Sequence, residues 1–408
     1  MALDDALPAL GSRNFRLFLG GQVVSYSGTW LQQVAQGWLV LELSNSPLIV
    51  GLVPALGTLP ILLFTLYGGV LADRVNRRAS LMVLQSLLAV EALGLGVLIS
   101  VGWITVPWVL ALAFFAGTVT AFEVPIRNAL VPGLVPKHGL MNAIALNSAS
   151  FNLARVLGPA MAGAIIGTAG VAACFYLNAL SYGAVVWALK RMDLPPHEPP
   201  TEPPHVLAAF REGARYVWHE PWPRTLLLLS GITAIFGFSF MVVLPVFARD
   251  VLGTGASGYG ALVASVGVGA LAGALGLAAL GTRVRQRRLA LVAALGFGTA
   301  LLLAAVAPGF LAALAVLTAT GCFMVLHNIS ANTIVQQDAP EHLRGRVMGF
   351  YSLVVLGLAP LGSLQAGWMS EHFGVRTAFA AGGAVCCVSA LLLTWWLRRS
   401  LPSRRAVA

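Results

Sequence analysis

The sequence predicts an all-α, polytopic membrane protein with twelve transmembrane helices in two pseudo-symmetric six-helix bundles. Three observations predict it. Of 408 residues, 58% are hydrophobic and 10% charged, with a mean hydropathy of +0.83, which leaves too little polar surface to clothe a soluble globule. Apolar runs long enough to cross a hydrocarbon core of about 30 Å, roughly 20 residues each, recur twelve times. A polar, proline-rich break near the middle separates two halves that repeat one another.

The first run, 15–43, carries Gln22, Tyr26, Thr29, Gln33 and Gln36 at spacings of three and four, a polar stripe on one helical face. Such a face cannot meet lipid. It lines an internal cavity, with Gln32, Trp30 and Trp38 near its borders, or it makes interhelical hydrogen bonds. The second run, 46–72, contains Pro54 and Pro60, which remove backbone bonds and bend helices, and it ends in the charged knot Asp73-Arg74-Val75-Asn76-Arg77-Arg78. The third, 79–101, places Glu91 near mid-membrane, where an ionised carboxylate costs at least about 2.5 kcal/mol. Glu91 is therefore neutral or paired, either as a proton carrier or as a protonated acid bonded within the bundle. The fourth, 106–124, carries Glu123 two residues before Pro125, a second titratable site or a helix-end charge near Arg127. The fifth, 140–168, holds Arg155, the one cation inside a run. A guanidinium there needs an acidic or polar partner, and Glu91 and Glu123 are the candidates. The sixth run is 171–189.

Over 191–223 the apolar pattern breaks, and Pro195-Pro196, Pro199-Pro200 and Pro203-Pro204 form a stiff, extended tract. The expected domains are an N-terminal bundle, 1–190, a cytoplasmic linker, 191–223, and a C-terminal bundle with a basic tail, 224–408. Val206, Phe210, Ala214 and Val217 recur at helical spacing, which suggests a short amphipathic helix on the inner membrane surface; the alternative is a disordered connector. Next come 225–247 with Pro245, 257–280 with a glycine-rich stretch suited to close packing, and 289–307. The tenth run, 310–334, offers His327, Asn328 and Asn332 as cavity-lining residues; His327 either relays protons or is simply hydrogen-bonded. The last two are 347–373 with Pro360 and 375–397. Asn128-Ala129-Leu130-Val131 followed by Pro136-Lys137-His138 returns 204 residues later as Asn332-Thr333-Ile334-Val335 followed by Pro340-Glu341-His342, and such internal repetition is a fold-level signal. A fainter copy of the charged knot, without its acid, spans 282–288.

All but three of the 25 Lys and Arg fall in the tails or in the gaps on the side of the termini; the exceptions are Arg155, Arg249 and Arg376. That asymmetry puts both termini in the cytoplasm and explains the net charge of +10 as topology and attraction to anionic membrane lipids. Cations scattered over separate loops argue against a nucleic-acid partner. The four cysteines lie inside apolar runs without metal-ligand spacing, no clustered catalytic constellation points to an enzyme, and no cofactor is implied. Met1 to Pro8 includes Asp4 and Asp5 and does not read as a cleavable signal.

The stretch from Gly69 to Arg78, reading Gly-x-x-x-Asp-Arg-x-x-Arg-Arg between the second and third runs, resembles the loop joining helices 2 and 3 of the major facilitator superfamily. Arg13-Asn14-Phe15-Arg16 leading into Gly21-Gln22, Trp30 to Ala35, Asn147 through Gly163, and Gly345 through Gly362 resemble its exporters related to enterobactin and macrolide efflux proteins. The resemblance implies the major facilitator fold and a monomeric inner-membrane exporter. By this likeness, it moves a small amphipathic or lipophilic compound, drug- or siderophore-like, by alternating access with proton antiport. It also implies a gate in which Gly69, Asp73, Arg74, Arg77 and Arg78 meet Arg344, Arg346 and the start of helix 11; alternatively these cations only obey the positive-inside bias. Gly158-Pro159 through Gly163 looks like the motif associated with export, and it argues against the alternative of an uptake facilitator. Glu91, Glu123 and Arg155 are the candidate proton-coupling residues, with Arg155 alternatively a purely structural anchor. Asn76 replaces the usual hinge glycine and tolerates a left-handed backbone, Ala154 and Ala162 stand where glycine is common, and helix 4 lacks a mid-membrane arginine. A lipid- or siderophore-specific transporter is a further alternative, while a non-transporting receptor or scaffold would tolerate loss of Asp73 and Glu91.

Overall fold

The computed structural model describes residues 7–193, 206–281 and 285–400. The double-proline tract and the first residues of the fainter knot lie outside them. The described chain is helical, with no strand. α1 is Arg13–Ser44, α2 Pro47–Arg74, α3 Arg77–Ser100, α4 Val106–Leu130, α5 Leu140–Ala169 and α6 Val171–Arg191. After the linker come α7 Val206–His219, α8 Pro221–Ile232, α9 Ala256–Leu280, α10 Gln286–Ala305, α11 Phe310–Asp338, α12 Arg344–Gly357, α13 Ala359–Phe373 and α14 Val375–Ser400. Among the described residues, 11 spans are long and apolar enough to cross a membrane. The remaining span of the expected twelve is α1, 32 residues long, whose polar face lowers its overall apolarity.

Chain chemistry sets the helix ends. Ser12, Ser46 and Asn76 each accept a hydrogen bond from the third residue onward, satisfying an amide that the helix leaves unpaired. Asn76 has φ −67°, so it caps α3 and does not use the left-handed backbone expected of a hinge. Prolines act where they remove a bond that neighbours do not replace. The seventh span is α-helical only to Ile232, then continues through π-type and 3-10 turns around Pro245 to Val251. The eleventh breaks between Gly357 and Ala359, just before Pro360. Pro54, Pro60, Pro125 and Pro159 lie inside continuous helices.

The chain divides into two compact units, Met1–Pro204 with Ala248–Ala264, and His205–Phe247 with Ser265–Ala408. In the first, α1 packs against α5 and α6, α2 along α4, and α3 against α4 and α6, over a core that includes Phe15, Phe18, Leu81, Ile126 and Leu189. In the second, α10 packs against α11 and α14, and Phe297 and Phe379 bracket Phe240 at ring separations of 6.3 Å and 6.0 Å. The amphipathic α7 lies on α12: Val217 is fully buried among Leu226, Ala331 and Val347, and the Tyr216 hydroxyl donates to the Asp338 carbonyl at 2.6 Å. Of the described part of its apolar face, Val217 is thus covered by protein and Ala214 is half-buried. Guanidinium groups stack on indole rings at Arg191–Trp187, Arg224–Trp396, Arg287–Trp222 and Arg399–Trp395, pairs suited to a membrane interface.

Both units contain helix crossings that only glycine permits. A Cβ on Gly117 of α4 would collide with the Gly57 carbonyl of α2, and a Cβ on Gly321 of α11 would collide with the Val266 carbonyl of α9. Without lipid-to-protein hydrophobic gain, helices associate through such backbone proximity, and the two glycines stand 204 residues apart, the interval of the sequence repeat. Gly117→Ala and Gly321→Ala should each destabilise the purified protein by roughly 1–3 kcal/mol through overpacking, measured by thermal unfolding. Gly94→Ala, where an added Cβ meets nothing within 4 Å, should leave stability unchanged.

Candidate functional site

Two polar clusters lie along the first unit, both built from α1 and α3. In one, Glu91 of α3 is 3% exposed and accepts from the Gln32 amide nitrogen of α1, 3.2 Å from Oε2 and 3.4 Å from Oε1. The Gln32 Oε1 in turn accepts from Asn178 Nδ2 of α6 at 2.7 Å, and the Ser181 hydroxyl donates to Asn178, 2.7 Å from its backbone oxygen and 2.8 Å from Oδ1. Gly28 makes this geometry possible, since a Cβ there would strike Ser181 and Asn178. No cation reaches Glu91 among the described residues.

In the other cluster, Glu123 of α4 accepts from Arg127 Nε at 2.9 Å and from Gln85 Nε2 of α3 at 3.0 Å. Arg127 also bonds and stacks on Tyr26 of α1, and the Tyr26 hydroxyl donates to Asn147 Oδ1 of α5 at 3.3 Å. Thr29, between the clusters on α1, bonds Tyr182 of α6 at 3.4 Å. The pair Arg127–Glu123 is nearly buried, with side-chain exposures of 14% and 6%. By composition the fourth apolar run ends at residue 124, and the structure carries α4 on through Arg127 to Leu130. The i, i+4 carboxylate and the Tyr26 ring compensate the Arg127 charge, so the helix runs on through it.

Other expected site residues scatter. Gln22 and Tyr26 are buried and Thr29 and Gln36 half-buried, but Gln33 is exposed, and Gln32, one position away, makes the contact to an acid. His327 is 1% exposed, its Nδ1 lies 3.0 Å from the Ala290 carbonyl of α10 and its Nε2 is buried without a partner, with Asn328 and Asn332 half-buried beside it. Arg155 pairs with neither Glu91 nor Glu123: its Nε and Nη2 are buried without a hydrogen-bond partner, and α5 packs mainly on α1 and α6, not along the α3 and α4 that carry those acids. An apolar cavity of about 430 Å³ between Leu71, Val83, Leu84, Phe122 and Ile126 includes none of these polar groups.

The hinge arginines act on helix ends. Arg77 donates to the Ala72 carbonyl at 3.2 Å and to the Ala129 carbonyl at 2.9 Å, while Arg78 donates to Leu189 at 2.7 Å and Lys190 at 2.8 Å. They thereby satisfy carbonyls in the last turns of α2, α4 and α6, where the helix dipole favours a cation. Spacing along the chain carried no signal for those partners. Gly69, Arg74 and Arg344 are exposed, Arg346 pairs with Glu212 of α7, and the Asp73 side chain lies outside the described residues. In α5, a Cβ on Gly158 would lie 2.6 Å from Trp30 Cβ of α1, and one on Gly163 would lie 3.0 Å from Ser257 Cα. From the opposite side, a Cβ on Gly260 would lie 2.6 Å from the Pro159 carbonyl. The motif keeps α5 in backbone contact on both flanks.

Removing one member of a buried ion pair strands the other. Arg127→Leu should destabilise the protein by roughly 3–5 kcal/mol. The double variant Glu123→Leu/Arg127→Leu should be more stable than that single variant, as read by a double-mutant cycle on thermal or denaturant unfolding.

Residues 5–406 match the family described as transmembrane secretion effector. The chain is 28% identical to the multidrug efflux pump Tap of Mycolicibacterium fortuitum, over 90% of its own length and 91% of the relative's. It is 24% identical to the staphyloferrin A transporter of Staphylococcus aureus, over 95% and 96%, and 26% identical to the enterobactin exporter EntS of Escherichia coli, over 93% and 91%. Its fold is similar to that of a bacterial homologue of the human lysosomal transporter Spinster, with TM-score 0.76 at 15% identity over 97% and 99% of the two chains. A D-xylose-proton symporter gives TM-score 0.71 at 15% identity over 94% and 97%. The chain belongs to the transmembrane secretion effector family of the major facilitator superfamily, and it is a multi-pass membrane transporter of small molecules.

Proposed function

We propose that this protein is a secondary active exporter of the cell's inner membrane that moves a small amphipathic or lipophilic compound outward by alternating access, coupled to inward proton movement. Both termini are cytoplasmic in this reading, and the protein works as a monomer among membrane lipids. The bundles are 1–190 and 224–408, joined by the linker 191–223. Export is supported by the relatives, whose names describe a multidrug efflux pump, a staphyloferrin A transporter and an enterobactin exporter.

The observation that carries proton coupling is Glu91, a buried carboxyl bound by one neutral amide. A group so placed can change protonation without breaking an ion pair, since the carboxyl oxygen that stays unprotonated still accepts from the Gln32 amide. Glu123 is the poorer carrier, since Arg127 holds its charge in place. Asp73 serves as the cytoplasmic latch in this reading, on the strength of its place in the Gly69 to Arg78 motif, with Arg77 and Arg78 anchoring that loop to helix ends.

Proteoliposomes loaded with rhodamine B and given a pH gradient test this reading. Wild type should extrude the dye faster with the gradient than without it, Glu91→Gln should reduce gradient-driven extrusion at least about tenfold, and Asp73→Asn should slow it as well. Dye movement in wild type that ignores the gradient would remove the antiport proposal.

A further inference from the structure

We propose that Arg155 is the anion-recognition residue for cargo, and that the exported compounds include amphipathic molecules bearing a carboxylate next to an aromatic or apolar body. The inference deepens the exporter reading above and rests on it.

Buried charges in proteins are paired or hydrogen-bonded because an isolated one is costly, all the more so within a membrane span. Arg155 is in the interior of α5; the residue as a whole is half-buried, and its Nε and Nη2 are buried with no partner. The buried described acids of this unit are committed: Glu91 to Gln32 and Glu123 to Arg127 and Gln85. At the ends of the unit, Glu42 accepts from Trp38 at 2.6 Å and Asp250 from Arg249 at 2.6 Å. The protein itself therefore supplies no described carboxylate to this guanidinium.

The two bare nitrogens are informative as a pair. Nε and Nη2 form the side edge of a guanidinium, the edge that takes both oxygens of a carboxylate in two parallel hydrogen bonds. One turn before Arg155 on the same helix face, Phe151 is 42% exposed and meets the rings of Tyr26 at 5.4 Å and Trp30 at 6.0 Å. One turn after it, Gly158 brings α5 against Trp30 and Ser27 of α1. Pro159 also removes the helical donor that would bond the Arg155 carbonyl. An aromatic wall beside a guanidinium edge fits a ligand with a flat apolar body and one carboxylate. Both nitrogens are covered in this structure, so cargo reaches them as the side chains around them part, with Phe151 at the accessible margin.

Equilibrium binding of rhodamine B, which carries a carboxylate, and of its ethyl ester, which does not, tests the proposal on the full chain in lipid nanodiscs. Wild type should prefer the acid to the ester. Arg155→Gln should lower that preference at least about tenfold by weakening acid binding, and Arg155→Lys should retain part of it. A wild type that binds both dyes equally or binds neither, or an Arg155→Gln protein that loses both alike, would overturn the assignment. Because binding is read without a gradient, failure here is distinguishable from failure of proton-driven export, which the liposome assay reads separately.

Discussion

Within a hydrocarbon layer a carboxyl has only protein to bond to, and Glu91 is met by the end of a relay running through Gln32, Asn178 and Ser181. Every member is a neutral hydrogen-bonding group, and the relay depends on Gly28 leaving room where α1 crosses α6. One turn and a half away along α3, Gln85 helps bind a second acid whose partner is a cation. The two carboxyls thus differ in kind: one is free to change charge state without stranding a partner, and the other is tied to Arg127. This division of roles between neighbouring acids underlies the proposed proton coupling.

The two halves use one packing device. The glycines at 117 and 321, separated by the interval of the sequence repeat, let α4 approach α2 and α11 approach α9 until backbone meets backbone. Among the described residues, the buried carboxyls are not repeated in the second unit. The first unit carries Glu91, Glu123, Arg127 and Arg155 inside its helices, whereas the second buries His327 against a backbone carbonyl and fills its centre with phenylalanines. On the proposed reading, proton and cargo chemistry is concentrated in the first unit, with the second acting as an apolar counterpart.

The membrane fold was legible because the bilayer imposes length and apolarity on each span, and because proline and the Lys and Arg asymmetry mark the breaks. The charged residues at helix ends were less legible. Arg127 reads as a loop residue by composition, yet Glu123 four residues earlier neutralises it inside α4. Glu123 within i, i+4 of Arg127 was the signal that could have found it. Along the α1 stripe, Gln32 bonds the acid and Gln33 is exposed, and 3.6-residue periodicity alone does not say which border of a stripe faces a neighbour. Partners distant in sequence, such as Arg78 with Leu189 or Gln32 with Asn178, leave no trace in spacing. Nor does spacing show the unpaired state of Arg155, since the two acids that the sequence offers lie on α3 and α4 while α5 packs mainly on α1 and α6.

The most direct measurement of the central claim is proton release on ligand binding, followed with a pH indicator in weakly buffered nanodiscs as rhodamine B is added. The account predicts that wild type liberates protons on binding and that Glu91→Gln binds the dye with little or no release. Equal release from the two proteins would contradict it.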